Sequence, residues 1–188
     1  WEANPPQITS GVAYGIAENN SYQVARWNGA GTFGAAQYAT ATLTGNTYQS
    51  NDFRAGVVVC CGSDIDGAAD YYALYVTLGG DTNKPVFLIR MSNGAATTLW
   101  SGSTVYASGD TLSLEFDSGV LKGYRNATLL TTQTDGTPLA AGKPGILLAS
   151  GSPSSKLIGI NDWAGGDVTA GGGGTPVAFT GTVPAQSA

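Results

Sequence analysis

Along Thr111–Asp117 every second residue is apolar: Leu112, Leu114 and Phe116 alternate with Thr111, Ser113, Glu115 and Asp117. A period of two places those three side chains on one face of a strand, so this segment cannot sit comfortably as a helix. The same period governs Tyr71–Leu78, with Tyr72, Leu74, Val76 and Leu78 on one face and Tyr71, Ala73, Tyr75 and Thr77 on the other. Val57-Val58-Val59 and Pro85–Arg90 are nearly continuous apolar runs, the pattern of strands covered on both faces. Turn residues punctuate these runs: Asn93-Gly94, Ser108-Gly109-Asp110, Asp117-Ser118-Gly119, Asp135-Gly136-Thr137-Pro138 and Gly142-Lys143-Pro144-Gly145. About a dozen strand candidates recur at spacings of roughly 8–12 residues, and no capped 3.6-residue stripe competes with them. The pattern predicts an all-β chain folded as an antiparallel jelly-roll-like β-sandwich.

Composition narrows what such a sandwich can do. The chain has 188 residues, enough for one domain with a substantial core. Charged residues are 11%, less than half the usual share of roughly 25%. The net charge is −5 and the eight basic residues are scattered, which argues against nucleic acid as a partner. No apolar run approaches the roughly 20 residues of a membrane span, so no membrane insertion is expected. A start at Trp1 without Met reads as a processed or excerpted chain. Gly171–Gly174 reads as a flexible linker. The expected division is a sandwich over 1–168, then a Gly-rich linker and a C-terminal strand over 169–188.

Four pieces, in order, resemble the concanavalin A-like lectin/glucanase superfamily in its laminin-G-like branch. They are Asp70–Val76; Leu88–Arg90 with Asn93-Gly94 and Thr98–Trp100; Gly109–Phe116 with Val120–Asn126; and Gly142–Ile146 with Ile160–Trp163. These motifs are fold signatures. One departure is Ala127, which follows Asn126 where the pattern usually has Gly. Pro176–Ser187 resembles the opening strand of Ig-like modules of bacterial surface and phage virion proteins.

The chain has no histidine, which excludes Ser-His-Asp and Cys-His catalysis and His-based zinc sites. Cys60 and Cys61 are adjacent, so a strand points them to opposite faces, and they read as free thiols. Glucanase members of the superfamily carry a Glu-x-Asp-x-x-Glu strand motif. The glutamates here are Glu2, Glu18 and Glu115, and they do not form it. No catalytic residue is therefore assigned. Asp64, Asp66 and Asp70 flank Gly67 and could gather oxygen ligands for Ca²⁺; the competing reading is a solvated acidic loop with no cofactor. Sugars stack on aromatic rings and need polar groups beside them. Tyr71 and Tyr75 share an outward strand face, with Tyr124, Arg90 and Glu115 expected on the same sheet surface. The competing reading packs those tyrosines at a sheet edge or under loops.

The resemblance and these residues imply a non-catalytic lectin-like module that binds a glycan or polysaccharide. Its place would be extracellular, on a cell surface or on a virion. One alternative is a structural domain of a phage virion or surface appendage, with neighbouring subunits or a homo-oligomer as partners. The other is a glycoside hydrolase with an atypical carboxylate site.

Overall fold

The computed structural model describes residues 7–9, 12–14, 22–27, 32–45, 53–62, 69–78, 85–103, 106–149 and 158–168. They form thirteen strands, and no helix occurs among them. In chain order these are β1 (Gln7–Thr9), β2 (Val12–Tyr14), β3 (Gln23–Arg26), β4 (Gln37–Thr44) and β5 (Phe53–Cys61). Then come β6 (Tyr71–Leu78), β7 (Pro85–Ser92), β8 (Ala95–Ser103) and β9 (Thr111–Asp117). The last are β10 (Val120–Arg125), β11 (Thr128–Thr134), β12 (Lys143–Ala149) and β13 (Gly159–Asp167). Two sheets result, ordered β1-β2-β13-β4-β9-β10-β11 and β3-β12-β5-β6-β7-β8. Pairing is antiparallel throughout. This is the all-β sandwich that the alternation predicts.

The inward faces follow the period of two. Leu112, Leu114 and Phe116 of β9 are buried and meet Ala39, Ala41 and Leu43 of β4 in the same core as Tyr72, Leu74 and Val76 of β6. Each fully buried Leu or Val contributes roughly 1.5–3 kcal/mol. The Tyr72 and Phe116 rings stack at 5.2 Å and tie one sheet to the other. A second apolar cluster lies on the outer face of the six-stranded sheet, with Val58, Tyr71, Ala73, Tyr75, Ile89 and Leu147. Val57, Val58 and Val59 are therefore all fully buried, as a non-alternating run requires.

β5 ends in a bulge. Cys60 has φ 55°, so Val59 and Cys60 both face the core while Cys61 joins the outer cluster. The bulge frees the Cys60 N–H, which donates to Gln37 Oε1 at 3.0 Å. Gln37, fully buried, spends its amide on the carbonyls of Gly34 and Gly142. Neither cysteine is in a disulfide, and both are buried. Burial first, and the Cys61 sulfur second, push the Cys60 thiol up to about 12, so it stays protonated and is no nucleophile.

Two-residue turns join β7–β8, β9–β10 and β10–β11. Asn93-Gly94, Ser118-Gly119 and Asn126-Ala127 all have positive φ at both positions, the geometry that matches strand twist. Ala127, at φ 62°, carries a methyl group where the left-handed region costs roughly 1 kcal/mol. Ala127→Gly is expected to raise stability by about 0.5 kcal/mol net of the entropy glycine adds to the unfolded chain. A rise of about 1–2 °C in melting temperature would register it.

The edge strands β8 and β11 contain no charged residue and no proline. Each is instead interrupted by a register shift, at Leu99 in β8 and Leu130 in β11. The extra residue at each shift packs against the core, which closes that side of the sandwich. Bulges of this kind also spoil an edge as a template for foreign strands.

Candidate functional site

The five residues expected on one surface are divided between the two sheets. Tyr71, Tyr75 and Arg90 stand on β6 and β7, whereas Glu115 and Tyr124 stand on β9 and β10. Sequence periodicity assigns a face within one strand but not which sheet a strand joins, and that is where the expectation fails. Tyr71 is on the outer face but only 3% exposed, packed within the outer cluster. Arg90 is opposite Tyr72 and so shares its inward face. Its Nε lies 3.5 Å from Asp135 Oδ2, and its Nη1 donates to Thr137 Oγ1 at 3.0 Å. Tyr72 donates to Asp135 Oδ2 at 2.7 Å and accepts from the Leu139 N–H at 3.0 Å. Arg90 is thus part of a lock that pins the β11–β12 connection onto the end of the sandwich.

Asp64 and Asp66 lie outside the described residues. Asp70 accepts the Asn93 N–H at 2.9 Å, which secures the β7–β8 turn. Among the described residues no group of three or more His, Cys, Asp or Glu stands together as a metal cage.

Tyr75 belongs to a different constellation, on the outer face of the six-stranded sheet. It stacks on Phe87 at 5.5 Å and meets Tyr22 edge to face at 5.8 Å. The two tyrosine hydroxyls are 3.1 Å apart. The Arg54 guanidinium lies 4.7 Å above the Tyr22 ring and 5.9 Å from the Tyr75 ring. Thr77 is directly opposite Arg54 in the β5–β6 register and two residues beyond Tyr75 on the same face. Its hydroxyl is buried and has no hydrogen-bond partner. Tyr22, Arg54 and Phe87 are half-buried, so the patch offers rings and a cation to solvent beside that unsatisfied hydroxyl.

Glu115 and Tyr124 belong to the outer face of the seven-stranded sheet. Tyr124 donates to Glu115 Oε2 at 3.1 Å. Burial, followed by the charge and hydrogen bond of Glu115, raises the Tyr124 phenol and keeps it a donor. Across the strands Glu115 is flanked by Tyr38 on β4 and Lys122 on β10. Along β9, Glu115-Phe116-Asp117 matches the first half of Glu-x-Asp-x-x-Glu, but the closing position holds Val120. Asp117 stands at the hairpin corner and accepts the Ser118 hydroxyl at 2.8 Å.

Tyr22, Tyr38, Arg54, Thr77 and Phe87 were not expected at a site. Alternation along β6 already groups Thr77 with Tyr75, and this was the available signal. Arg54, Phe87 and Tyr38 arrive only through the pairing of strands distant in sequence. Trp27, Trp100 and Trp163 serve packing: Trp100 and Trp163 lie against the core, and Trp27 stacks on Trp163 at 6.2 Å.

No protein-family model matches the chain, and no curated protein matches it. Solved structures do. The carbohydrate binding module CBM66 from Bacillus subtilis superposes with a TM-score of 0.61 at 13% identity, over 89% of this chain and 99% of that one. The CBM2 module of the evolved Dit of Lactobacillus casei BL23 phage J-1 gives 0.56 at 12% identity, over 89% and 82%. The β-glucanase of Bacillus licheniformis gives 0.52 at 16% identity, over 88% and 97%. The strand order, the two antiparallel sheets and these superpositions together give the chain the concanavalin A-like sandwich fold.

Proposed function

We propose that the protein is a non-catalytic carbohydrate-recognition module that binds through the outer face of the six-stranded sheet. The observation that carries this reading is the buried Thr77 hydroxyl without a partner, set beside Arg54, Tyr22, Tyr75 and Phe87. A buried hydroxyl left unmade costs roughly 1–3 kcal/mol. A sugar hydroxyl would complete it while the apolar sugar face rests on the half-exposed rings of Tyr22 and Phe87. Arg54, stacked on Tyr22, supplies further donors at the rim. The likeness to carbohydrate binding modules supports the ligand class, and the phage module among them fits a place outside the cell or on a virion. The sandwich is taken as the 1–168 unit, with 169–188 as linker and extra strand.

A non-catalytic role is supported by Val120, which stands where the second glutamate of the glucanase motif belongs. Glycoside hydrolysis requires two carboxyl groups that act on opposite sides of the reaction. Retention on soluble polysaccharide in native affinity gels, without release of reducing sugar, is the expected behaviour. Tyr22→Ala and Phe87→Ala are each expected to weaken retention at least about tenfold, in line with the loss of a stacked ring. No retention on any polysaccharide, or reducing-sugar release, would overturn the reading.

Thr77→Val separates binding from folding. Valine has nearly the same shape and removes the unsatisfied hydroxyl, so stability should rise by about 1 kcal/mol. Binding should fall in the same variant. A loss of stability in urea denaturation would mean that Thr77 is already satisfied within the fold.

A further inference from the structure

The Tyr38 ring lies on a glycine floor. A Cβ at Gly166 would come within 3.2 Å of Tyr38 Cε1 and 3.6 Å of its Oη, so the ring leans across β13. Tyr38 is half-buried, which leaves ring surface open to solvent on the outer face of the seven-stranded sheet. Glu115 is its direct neighbour on β9 and Lys122 its second neighbour on β10, in one cross-strand row. Neighbours in such a row have Cβ atoms about 4.5–5.5 Å apart, so Tyr38 and Lys122 stand about 9–11 Å apart with Glu115 between them, and the long Lys122 side chain can reach back toward a sugar held over Tyr38 and Glu115. Tyr124 holds Glu115 by Oε2, and no protein donor among the described residues meets Oε1. The next row carries a hydroxyl pair, with Ser113 donating to Thr40 Oγ1 at 2.7 Å.

From this arrangement we infer that the outer face of the seven-stranded sheet holds a second glycan site, which takes a neutral pyranose with adjacent hydroxyls. The C–H face of the sugar lies on Tyr38. One hydroxyl donates to Glu115 Oε1, and a neighbouring one accepts from Lys122. A neutral sugar fits better than an acidic one, because Glu115 would repel a carboxylate placed over the ring. The site stands on the sheet opposite the Tyr22–Phe87 patch, so one molecule would hold two chains or two stretches of one chain. The inference rests on the reading of the protein as a carbohydrate binder, but not on the six-stranded face as the place of binding.

The test is native affinity electrophoresis of the full chain against soluble β-glucan, xylan, galactomannan and dextran. It compares Phe87→Ala, Tyr38→Ala, Glu115→Gln and the Phe87→Ala/Tyr38→Ala double variant. Glu115→Gln keeps an acceptor for Tyr124 and so preserves the fold if Tyr38→Ala does not; melting curves check both. On at least one polysaccharide, Tyr38→Ala and Glu115→Gln are expected to weaken retention at least fivefold. The double variant should lose what Phe87→Ala retains. Precipitation of that polysaccharide by the wild-type chain, abolished by Tyr38→Ala, would register two sites per molecule. If Phe87→Ala alone removes all retention and the Tyr38 and Glu115 variants behave as wild type, the second site is overturned and the first stands. If Tyr38→Ala removes retention and Phe87→Ala has no effect, the Tyr38 site stands and the six-stranded face falls. A chain held by none of the four overturns both.

Discussion

Gly56→Ala is expected to cost about 3 kcal/mol or more, a large fraction of the total stability of a typical domain. Gly56 sits in the middle of β5, opposite Tyr75. A Cβ there would lie 2.1 Å from the Leu74 carbonyl oxygen and 2.6 Å from the Tyr75 Cα. Both are backbone atoms of the central neighbouring strand, so no rotamer change can relieve the contact. The strands would have to part, and with them the layer of Val57 and Leu74 in the core and of Val58 and Ala73 in the outer cluster. Urea denaturation should show a midpoint far below wild type, or no folded baseline. A variant that melts within a degree or two of wild type would mean that β5 and β6 approach less closely than described.

Asp110→Ala is expected to cost about 2–4 kcal/mol and to change how stability depends on pH. Asp110 precedes β9 and is nearly buried. Its Oδ2 accepts the Ala107 N–H at 2.7 Å and the Arg125 guanidinium at 2.6 and 3.0 Å. Its Oδ1 accepts the Asn126 amide at 2.7 Å. Asn126 returns a bond through its Oδ1 from the Thr111 N–H, and the Asp110 backbone carbonyl accepts from Leu43. One carboxylate therefore ties the loop before β9 to the β10–β11 turn. Removing it strands the Ala107 N–H and takes the Asp110 ion pair from the partly exposed Arg125 guanidinium, and solvent reaches enough of Arg125 to keep the cost below that of a fully buried pair.

Burial alone would raise the Asp110 carboxyl. The hydrogen bonds from Ala107, Asn126 and Arg125 and the Arg125 charge outweigh it and hold the carboxyl below the usual carboxylate range. Asp135 behaves alike: burial is opposed by Tyr72, Thr137 and Arg90, and the net shift is downward. A carboxyl lowered by folding contributes stability that is complete above its unfolded value of about 3.9. That contribution is lost as pH falls through the lower folded value. Wild-type stability should therefore decline below about pH 4. Asp110→Ala should be weaker at neutral pH and show a shallower acid decline. Parallel curves for the two chains would detach Asp110 from the acid response.

Much of the sandwich was legible in single segments. Leu112, Leu114 and Phe116 face the core because alternation along one strand needs no knowledge of any other. The turns at Asn93-Gly94 and Ser118-Gly119 were legible because left-handed backbone selects those residues. Asn126-Ala127 forms the same turn against that preference, held by the bonds of Asn126 to Thr111 and Asp110. The Cys60 bulge was not legible, because it depends on Gln37, 23 residues away in the chain, filling the gap.

The candidate sites were legible only in part. Tyr75 and Thr77 could be put on one face from β6 alone, yet Arg54 and Phe87 reach them through β5 and β7. Arg90 reads as a ligand residue for want of its partner Asp135, which lies 45 positions on in the chain. By itself the sequence determined which residues can be strands, where the chain must turn and that histidine chemistry is excluded, since these follow from local sterics and residue type. The tertiary structure alone decided which sheet each strand joins and therefore which polar and aromatic groups meet. Cross-strand register is set by the packing of the whole core, and no short stretch of sequence contains it.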